Sequence, residues 1–265
     1  MYDTLEIEHH ETQQGLVTVW MNRPEVHNAF NPELIRELTD ALLQLGRDPA
    51  ARVVMLAGRG KSFSAGADLN WMRSAGAASE AENFEDAIRL AQMMRTLAEM
   101  DKPTIARVHG AALGGGMGLA SACDICVACD CAIFATSEVR FGIIPAAISP
   151  YVIRAIGERQ AYRYFQTAER ISAKRAAELG LVHEVTTPEA LDAGVEEIVA
   201  SLLKGGPVSQ AQAKALIRAV ANRPVDDEIV RDTARRIAQL RATEQAREGL
   251  DAFLSKRAPV WAQQN

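Results

Sequence analysis

The sequence predicts an α/β fold: a largely parallel sheet flanked by helices, with an all-helical stretch at the C-terminal end. Three observations carry this. Short apolar strands alternate with segments of helical period over residues 1–200. RVVMLA (Arg52–Ala57) is continuously apolar, as in strands covered on both faces. From Pro188 onward the strand patterns stop. The expected organisation is a core over residues 1–200 and a helical region over 201–265.

The elements follow in order. Thr4 to His10 alternates, with Leu5 and Ile7 on one face and Glu6 and Glu8 on the other. Leu16 to Met21 is a second strand, and Gln13-Gln14-Gly15 marks a hairpin turn between them. Pro32 to Gly46 reads as a helix. Asn31 can cap it, Pro32 sits where a missing N–H costs nothing, and Leu34, Leu38, Leu42 and Leu45 recur at helical spacing. Arg52–Ala57 leads through a loop of small residues into a helical stretch, Glu82 to Met100. Pro103 to His109 is a strand that runs into Gly114-Gly115-Gly116 and an apolar helix. DICVACDCAIF reads as one strand, and Pro145 to Arg170 as a loop followed by helix. Ser172 caps a helix from Ala173 to Leu179, closed by Gly180, before a short strand at Leu181 to Val185. Three helices follow: one to Leu203, one from Pro207 to Ala221, and one from Val225 through Phe253.

The chain has 265 residues, 48% of them hydrophobic, which suffices for a substantial core. Lys plus Arg number 29 against 34 Asp plus Glu, a formal charge of −5. This balance argues against nucleic acid as a partner but leaves room for local capture of a polyanion by placed Arg and Lys. The N-terminus lacks the basic start and apolar run of a signal peptide, and it is too acidic for a mitochondrial presequence. No window has the apolar length of a membrane span, and AQQN is not a peroxisomal tripeptide. The expected location is the cytoplasm.

All four cysteines fall between Cys123 and Cys131. On one strand, Cys123, Cys129 and Cys131 share a face and Cys126 points the other way, so the thiols do not converge. The expectation is four free, buried cysteines and no metal site.

Two loops have the makings of an oxygen-binding site. Ser62-Phe63-Ser64-Ala65-Gly66-Ala67-Asp68-Leu69 leaves a strand and enters a helical stretch, and its small residues permit close backbone approach. Gly114-Gly115-Gly116 offers unobstructed N–H groups at the positive end of a helix. Facing one another, such loops form a two-donor oxyanion hole, each donor worth roughly 3–4 kcal/mol where one has been removed from an enzyme. Neither is a phosphate-binding loop, since no Gly-x-x-x-x-Gly-Lys-Ser/Thr or Gly-x-Gly-x-x-Gly opens this helix.

NRPEVHNAF (Asn22–Phe30), FSAGADL (Phe63–Leu69), HGAALGGG (His109–Gly116), CDICVA (Cys123–Ala128), SEVRFGIIP (Ser137–Pro145), ISAKRAAELGLVHEV (Ile171–Val185) and REGLDAFLSKR (Arg247–Arg257) together resemble the crotonase, or enoyl-CoA hydratase/isomerase, superfamily. The segments keep the family's order over nearly the whole chain. The resemblance implies a crotonase-like spiral of strand–strand–helix repeats with a helical C-terminal region, assembling as trimers or paired trimers. It implies a thioester oxygen held by the N–H groups of Ala67 and Gly115. Ala65, Asp68 and Leu69 would line the coenzyme A path. Phe253 and Lys256 would contact its nucleotide end, in the same or a neighbouring subunit, against a plain reading of packing and a solvated face. Coenzyme A would arrive as part of the substrate, with no permanently bound cofactor.

Hydratases of this family usually set water between two glutamates. Here the second matches Glu138, while the first position holds Gly118. Glu138 is therefore the candidate for proton transfer, with its pKa raised by an apolar pocket. A single glutamate also suits double-bond isomerisation, and the loss of its partner admits a non-catalytic acyl-CoA binder. ADLNWMR (Ala67–Arg73) and PAAISPYVIRAIGERQAYRYFQTAER (Pro145–Arg170) resemble bacterial hydratases of 3-methylglutaconyl-CoA and isohexenylglutaconyl-CoA, from leucine and acyclic-terpene breakdown. That subgroup commonly carries Gly at the first glutamate position. Its substrates bear a second carboxylate, for which Arg73, Arg140 and Ser149 are candidates. Trp71 and Met72 are expected to line the acyl pocket, or else simply the core, and His109 is expected to be structural.

Overall fold

A computed structural model describes residues 2–262. Met1 and residues 263–265, part of the segments read above for targeting signals, lie outside the described residues.

The chain begins with β1 (Leu5–His9) and β2 (Leu16–Met21), joined by the expected hairpin, and continues into α1 (Pro32–Arg47) and β3 (Val53–Gly58). Next come α2 (Leu69–Ala77), α3 (Glu80–Glu99), β4 (Thr104–Val108), β5 (Ala111–Leu113), α4 (Gly115–Ala122), β6 (Ile125–Cys129) and β7 (Ile133–Ala135). Then follow α5 (Ser149–Ile156), α6 (Glu158–Thr167), β8 (Ile171–Ser172), α7 (Ala173–Glu178) and β9 (Glu184–Thr186). The chain closes with α8 (Leu191–Leu203), α9 (Pro207–Val220), α10 (Asp227–Arg241) and α11 (Glu244–Leu254).

The large sheet runs β1-β2-β3-β4-β6-β9, parallel throughout except for the β1–β2 hairpin. A smaller sheet, β5-β7-β8, lies beside it. Each turn of the chain adds one strand to the large sheet, then a short extended segment to the second layer, then a helix: β4–β5–α4 and β6–β7–α5 are two such turns. Single bridges, Phe30 with Ala67 and Ser64 with Ala112, carry the second layer back into the earlier turns. This is the expected spiral, and its second layer builds the site.

The α1 stripe packs as its spacing predicts: Leu34, Leu38 and Leu42 are buried, and Asn31 accepts from Leu34 N–H at the cap. Each such side chain contributes about 1.5–3 kcal/mol on burial. The Glu37 carboxylate on the same helix accepts from Asp3 N–H and from Thr4 N–H and hydroxyl, anchoring the first strand. At the other end, Arg52 donates to the carbonyls of Gly205 (2.7 Å) and Trp261 (3.3 Å), tying the end of α8 and the last described turn to β3.

Five sequence expectations change. The cysteine segment is two strands, because a tight turn at Asp130-Cys131 breaks it: Asp130 N–H donates to Thr186 O and Ala132 N–H to Cys129 O. That turn brings the Cys129 and Cys131 α-carbons to 5.2 Å, inside disulfide range, and the two are joined. Cys123 and Cys126 alone are free and buried, with burial pushing both thiols up. The strand expected at Leu181–Val185 starts at Glu184, since Leu181 and Val182 N–H both cap α7 at Ala176 O. The long last helix is broken at Thr243, whose side chain accepts from Ala246 N–H and starts α11. The helix in Pro145–Arg170 is likewise two, α5 and α6, meeting at Gly157.

Candidate active site

The first loop is held between two neighbours. On one side Ser64 N–H donates to Ala111 O and Leu113 N–H donates to Ser64 O, so the loop runs as a strand beside β5. On the other, Phe30 N–H donates to Gly66 O (2.6 Å) and Asp68 N–H donates to Phe30 O (2.8 Å). In a parallel bridge of this kind the flanking residues make the bonds and the middle one points its N–H away. Ala67 is that middle residue. Its N–H has no acceptor among the described residues.

The second loop places Gly115 at the first position of α4, where a backbone N–H has no partner within the helix. Its N–H too has no acceptor among the described residues. Gly114, just before it, has φ +49°, a left-handed value that favours glycine, and its N–H is fixed by Ala135 O of β7 at 2.8 Å. The loops touch: a Cβ built on Gly114 would lie 3.8 Å from the α-carbon of Gly66. Two free donors thus sit on adjoining loops, each fixed by its neighbours.

Glu138 opens a short 3-10 turn, Glu138–Phe141, three residues after β7. Its Oε1 would lie 3.0 Å from a Cβ on Gly114, beside the second loop. Its Oε2 is buried and has no hydrogen-bond partner. Burial pushes the carboxyl above the usual range, offset only by a backbone hydrogen bond of the residue itself.

Gly118, at the first glutamate position, is buried, and a Cβ there would lie 2.2 Å from Ile148 Cγ2 and 3.1 Å from Met94 Cε. Apolar side chains fill the space a second carboxylate would enter. The Asp68 carboxylate caps α2 by accepting from Asn70 N–H (2.8 Å) and pairs with Arg23 Nη2 (3.0 Å), which together hold it below the usual range despite burial. Trp71 packs against the core and donates its indole N–H to Asp86 (3.2 Å), tying α2 to α3.

The other expected residues lie as follows. Ala65 is half-buried with its N–H on His27 O, Leu69 is exposed, and Met72 is half-buried on α2. Arg73 is exposed and reaches only Asn70. Arg140 is exposed on the turn that begins with Glu138. Ser149 starts α5 and donates to Ala146 O. Phe253 is 79% exposed on α11, which packs on α10, and Lys256 follows that helix, also exposed. His109 Nε2 lies 2.9 Å from Gly60 O, and burial lowers its pKa.

Sequence reasoning assigned no role to Arg23, Asn28 or Phe30, though all lie in NRPEVHNAF. Asn28 is buried at φ 54° and donates to Arg59 O and Ser62 O, folding that segment onto the first loop. An Asn followed by small and aromatic residues was the available signal.

Comparison with known proteins agrees with this geometry. Residues 11–264 match the enoyl-CoA hydratase/isomerase family. A putative enoyl-CoA hydratase of Thermus thermophilus is 34% identical over 94% of this chain and 98% of its own. A crotonyl-CoA hydratase of Syntrophomonas wolfei is 36% identical over 93% and 94%. The crystal structure of an enoyl-CoA hydratase from Shewanella pealeana superposes with a TM-score of 0.95 at 39% identity, covering 98% of this chain and 97% of that one. With two unpaired backbone donors beside a half-buried glutamate on a strand–strand–helix spiral, the chain belongs to the enoyl-CoA hydratase/isomerase family, as an enzyme of the hydratase type.

Proposed function

We propose that this enzyme adds water across the α,β double bond of a glutaconyl-type enoyl-CoA, with 3-methylglutaconyl-CoA or isohexenylglutaconyl-CoA as the substrate. The observation that carries the reading is the Glu138 carboxylate: one oxygen is buried and unpartnered beside the loop that offers the Gly115 N–H. A buried acceptor without a donor costs about 1–3 kcal/mol, which a bound water or substrate proton would offset.

The steps follow from this arrangement. The thioester oxygen sits between the N–H groups of Ala67 and Gly115. Glu138 takes a proton from water as the hydroxide adds to the β-carbon. Negative charge moves to the thioester oxygen, where the two donors hold it as an enolate. Protonated Glu138 then returns its proton to the α-carbon. Water's hydroxyl ends on one carbon and its proton on the other, with no redox change and no cofactor consumed. With position 118 filled by Ile148 and Met94, one carboxylate carries both transfers. The raised pKa of Glu138 suits a group that must both take and give a proton.

Arg140, exposed two residues after Glu138, and Arg73 on α2 supply positive charge for the substrate's second carboxylate. The C-terminal region exposes Val225 between α9 and α10 at 85% and Phe253 and Leu254 on α11 at 79% and 78%, surface that assembly into trimers or hexamers would cover, bringing Phe253 and Lys256 to a neighbour's coenzyme A. No helix among the described residues is long and apolar enough to cross a membrane.

The test is the ultraviolet absorbance of conjugated 3-methylglutaconyl-CoA. Rapid loss in wild type that disappears in Glu138→Gln supports the reading, and a bound but unchanged substrate in wild type sinks it for this acyl group. The lone carboxylate also fits an isomerase, which would shift the double bond of a 3-enoyl thioester without taking up water.

A further inference from the structure

We infer that Phe30 is a positioning residue that sets the span between the two oxyanion donors, an inference that rests on the role proposed above for those N–H groups. Phe30 belongs to neither loop and touches both. Its main chain grips the first loop on either side of Ala67, through Gly66 O and Asp68 N–H. Its ring lies on the second loop: a Cβ built on Gly115 would fall 2.0 Å from Phe30 Cε2 and 2.4 Å from Cδ2, so the ring rests against the bare face of the glycine. The side chain is 1% exposed. One donor is therefore placed by the backbone of Phe30 and the other by its ring.

The frame around it is closed. Arg23 Nη1 donates to Ala29 O at 2.5 Å and Nη2 to Asp68 at 3.0 Å, bracketing Phe30 from the residue before it and from the loop it grips. Asp68 in turn caps α2. Close packing leaves the Gly115 backbone little freedom to approach Phe30 or to retreat from a ligand pulling on it. Without the ring, Gly115 can settle towards the vacated space and the two N–H groups no longer converge on one oxygen.

The experiment uses the full-length enzyme and acetoacetyl-CoA, whose β-keto thioester ionises to an enolate with its own near-ultraviolet band. Donors converging on the thioester oxygen favour the enolate, so the band reads the oxyanion site without turnover. Phe30→Leu keeps the main-chain pairing and removes the ring. Val199→Ala, at a fully buried site on α8, serves as a variant destabilised without touching the loops. The expectation for Phe30→Leu is a weakened enolate band with acetoacetyl-CoA still bound. Its kcat should fall about tenfold to a hundredfold, with KM near wild type, as small misplacements of catalytic groups do. Val199→Ala should keep band and kcat at a comparable loss of melting temperature. If Phe30→Leu does not fold, Phe30→Met is read in the same way. A wild-type band and kcat in the Phe30 variant overturns the inference while leaving the donors' role intact. No enolate band in wild type itself removes the reading on which the inference rests.

Discussion

Positions 118 and 138 flank the same glycine loop and have opposite surroundings. At Gly118 the space is closed by Ile148 and Met94, with no room even for a methyl group. At Glu138 a carboxylate is buried beside the loop with one oxygen unpartnered. The difference shows that the missing glutamate is not a vacancy awaiting a water or a substitute side chain. Apolar packing has taken its place, and in the proposed mechanism the proton chemistry falls to one group. That group is half-buried and, among the described residues, has no charged partner that would fix it in either state.

The largest effect expected from breaking this asymmetry is at Glu138 itself. Glu138→Gln should lower kcat by about 10²–10⁴-fold, the range for a lost general acid–base group, in a steady-state assay. The same variant should not be destabilised at neutral pH. The folded-state pKa of Glu138 is raised, so the native state binds its proton more readily than the unfolded chain. Stability is lost as pH rises from the unfolded-state value, about 4.3, through the folded one. Removing the charge should leave the melting temperature at pH 7 equal to wild type or higher, and a clear fall would contradict the assignment. In wild type, kcat/KM should fall on the acid side with an apparent pKa above the ordinary glutamate value.

Next comes the donor on the second loop. Gly115→Ala puts a methyl group into the Phe30 ring, and overpacking of this kind costs about 1–3 kcal/mol of stability. Displacing the N–H should also lower kcat by about 10²–10³-fold, as loss of one oxyanion donor does. An unchanged kcat in the folded fraction would show that Gly115 is not a donor.

The comparison can be sharpened by trying to reverse it. Gly118→Glu alone should destabilise the protein and leave activity no higher, because the side chain meets Ile148. Gly118→Glu with Ile148→Gly opens the space and should recover part of the lost melting temperature. Equal melting temperatures for the single and double variants would mean that Ile148 is not what closes position 118.

The smallest effect concerns the acyl group. Arg73→Met and Arg140→Met should together reduce the preference for carboxylated over plain enoyl thioesters by about tenfold, equivalent to roughly 1.4 kcal/mol and typical of a solvent-accessible charge contact. No change in that ratio would remove both residues from recognition.

The parallel sheet, the α1 stripe and the glycine loops were legible because each rests on local pattern: apolar runs, leucine spacing, and residues without side chains. The small second sheet was not, since β5, β7 and β8 are three residues or fewer and are defined by partners distant in sequence. The Cys129–Cys131 pair was hidden for the same reason: DICVACDCAIF has strand composition throughout, and only the bond from Asp130 N–H to Thr186 O turns it. In the site, Glu138, Ala67 and Gly115 came from motif positions. The partner of Asp68 was not legible, because its sequence neighbours do not reveal Arg23, 45 residues earlier, which claims its carboxylate. What closes position 118 was not legible, because a glycine in a sequence says nothing about what fills the space beside it.

The central claim is that one carboxylate runs a hydration, and isotope tracing tests it most directly. The enzyme would be incubated with 3-methylglutaconyl-CoA in water enriched in oxygen-18 and deuterium, and the product analysed by mass spectrometry and NMR. The account predicts one oxygen-18 at the β-carbon and deuterium at the α-carbon, both absent with Glu138→Gln. Deuterium exchange or a shifted double bond without oxygen-18 would contradict it and assign Glu138 to isomerisation.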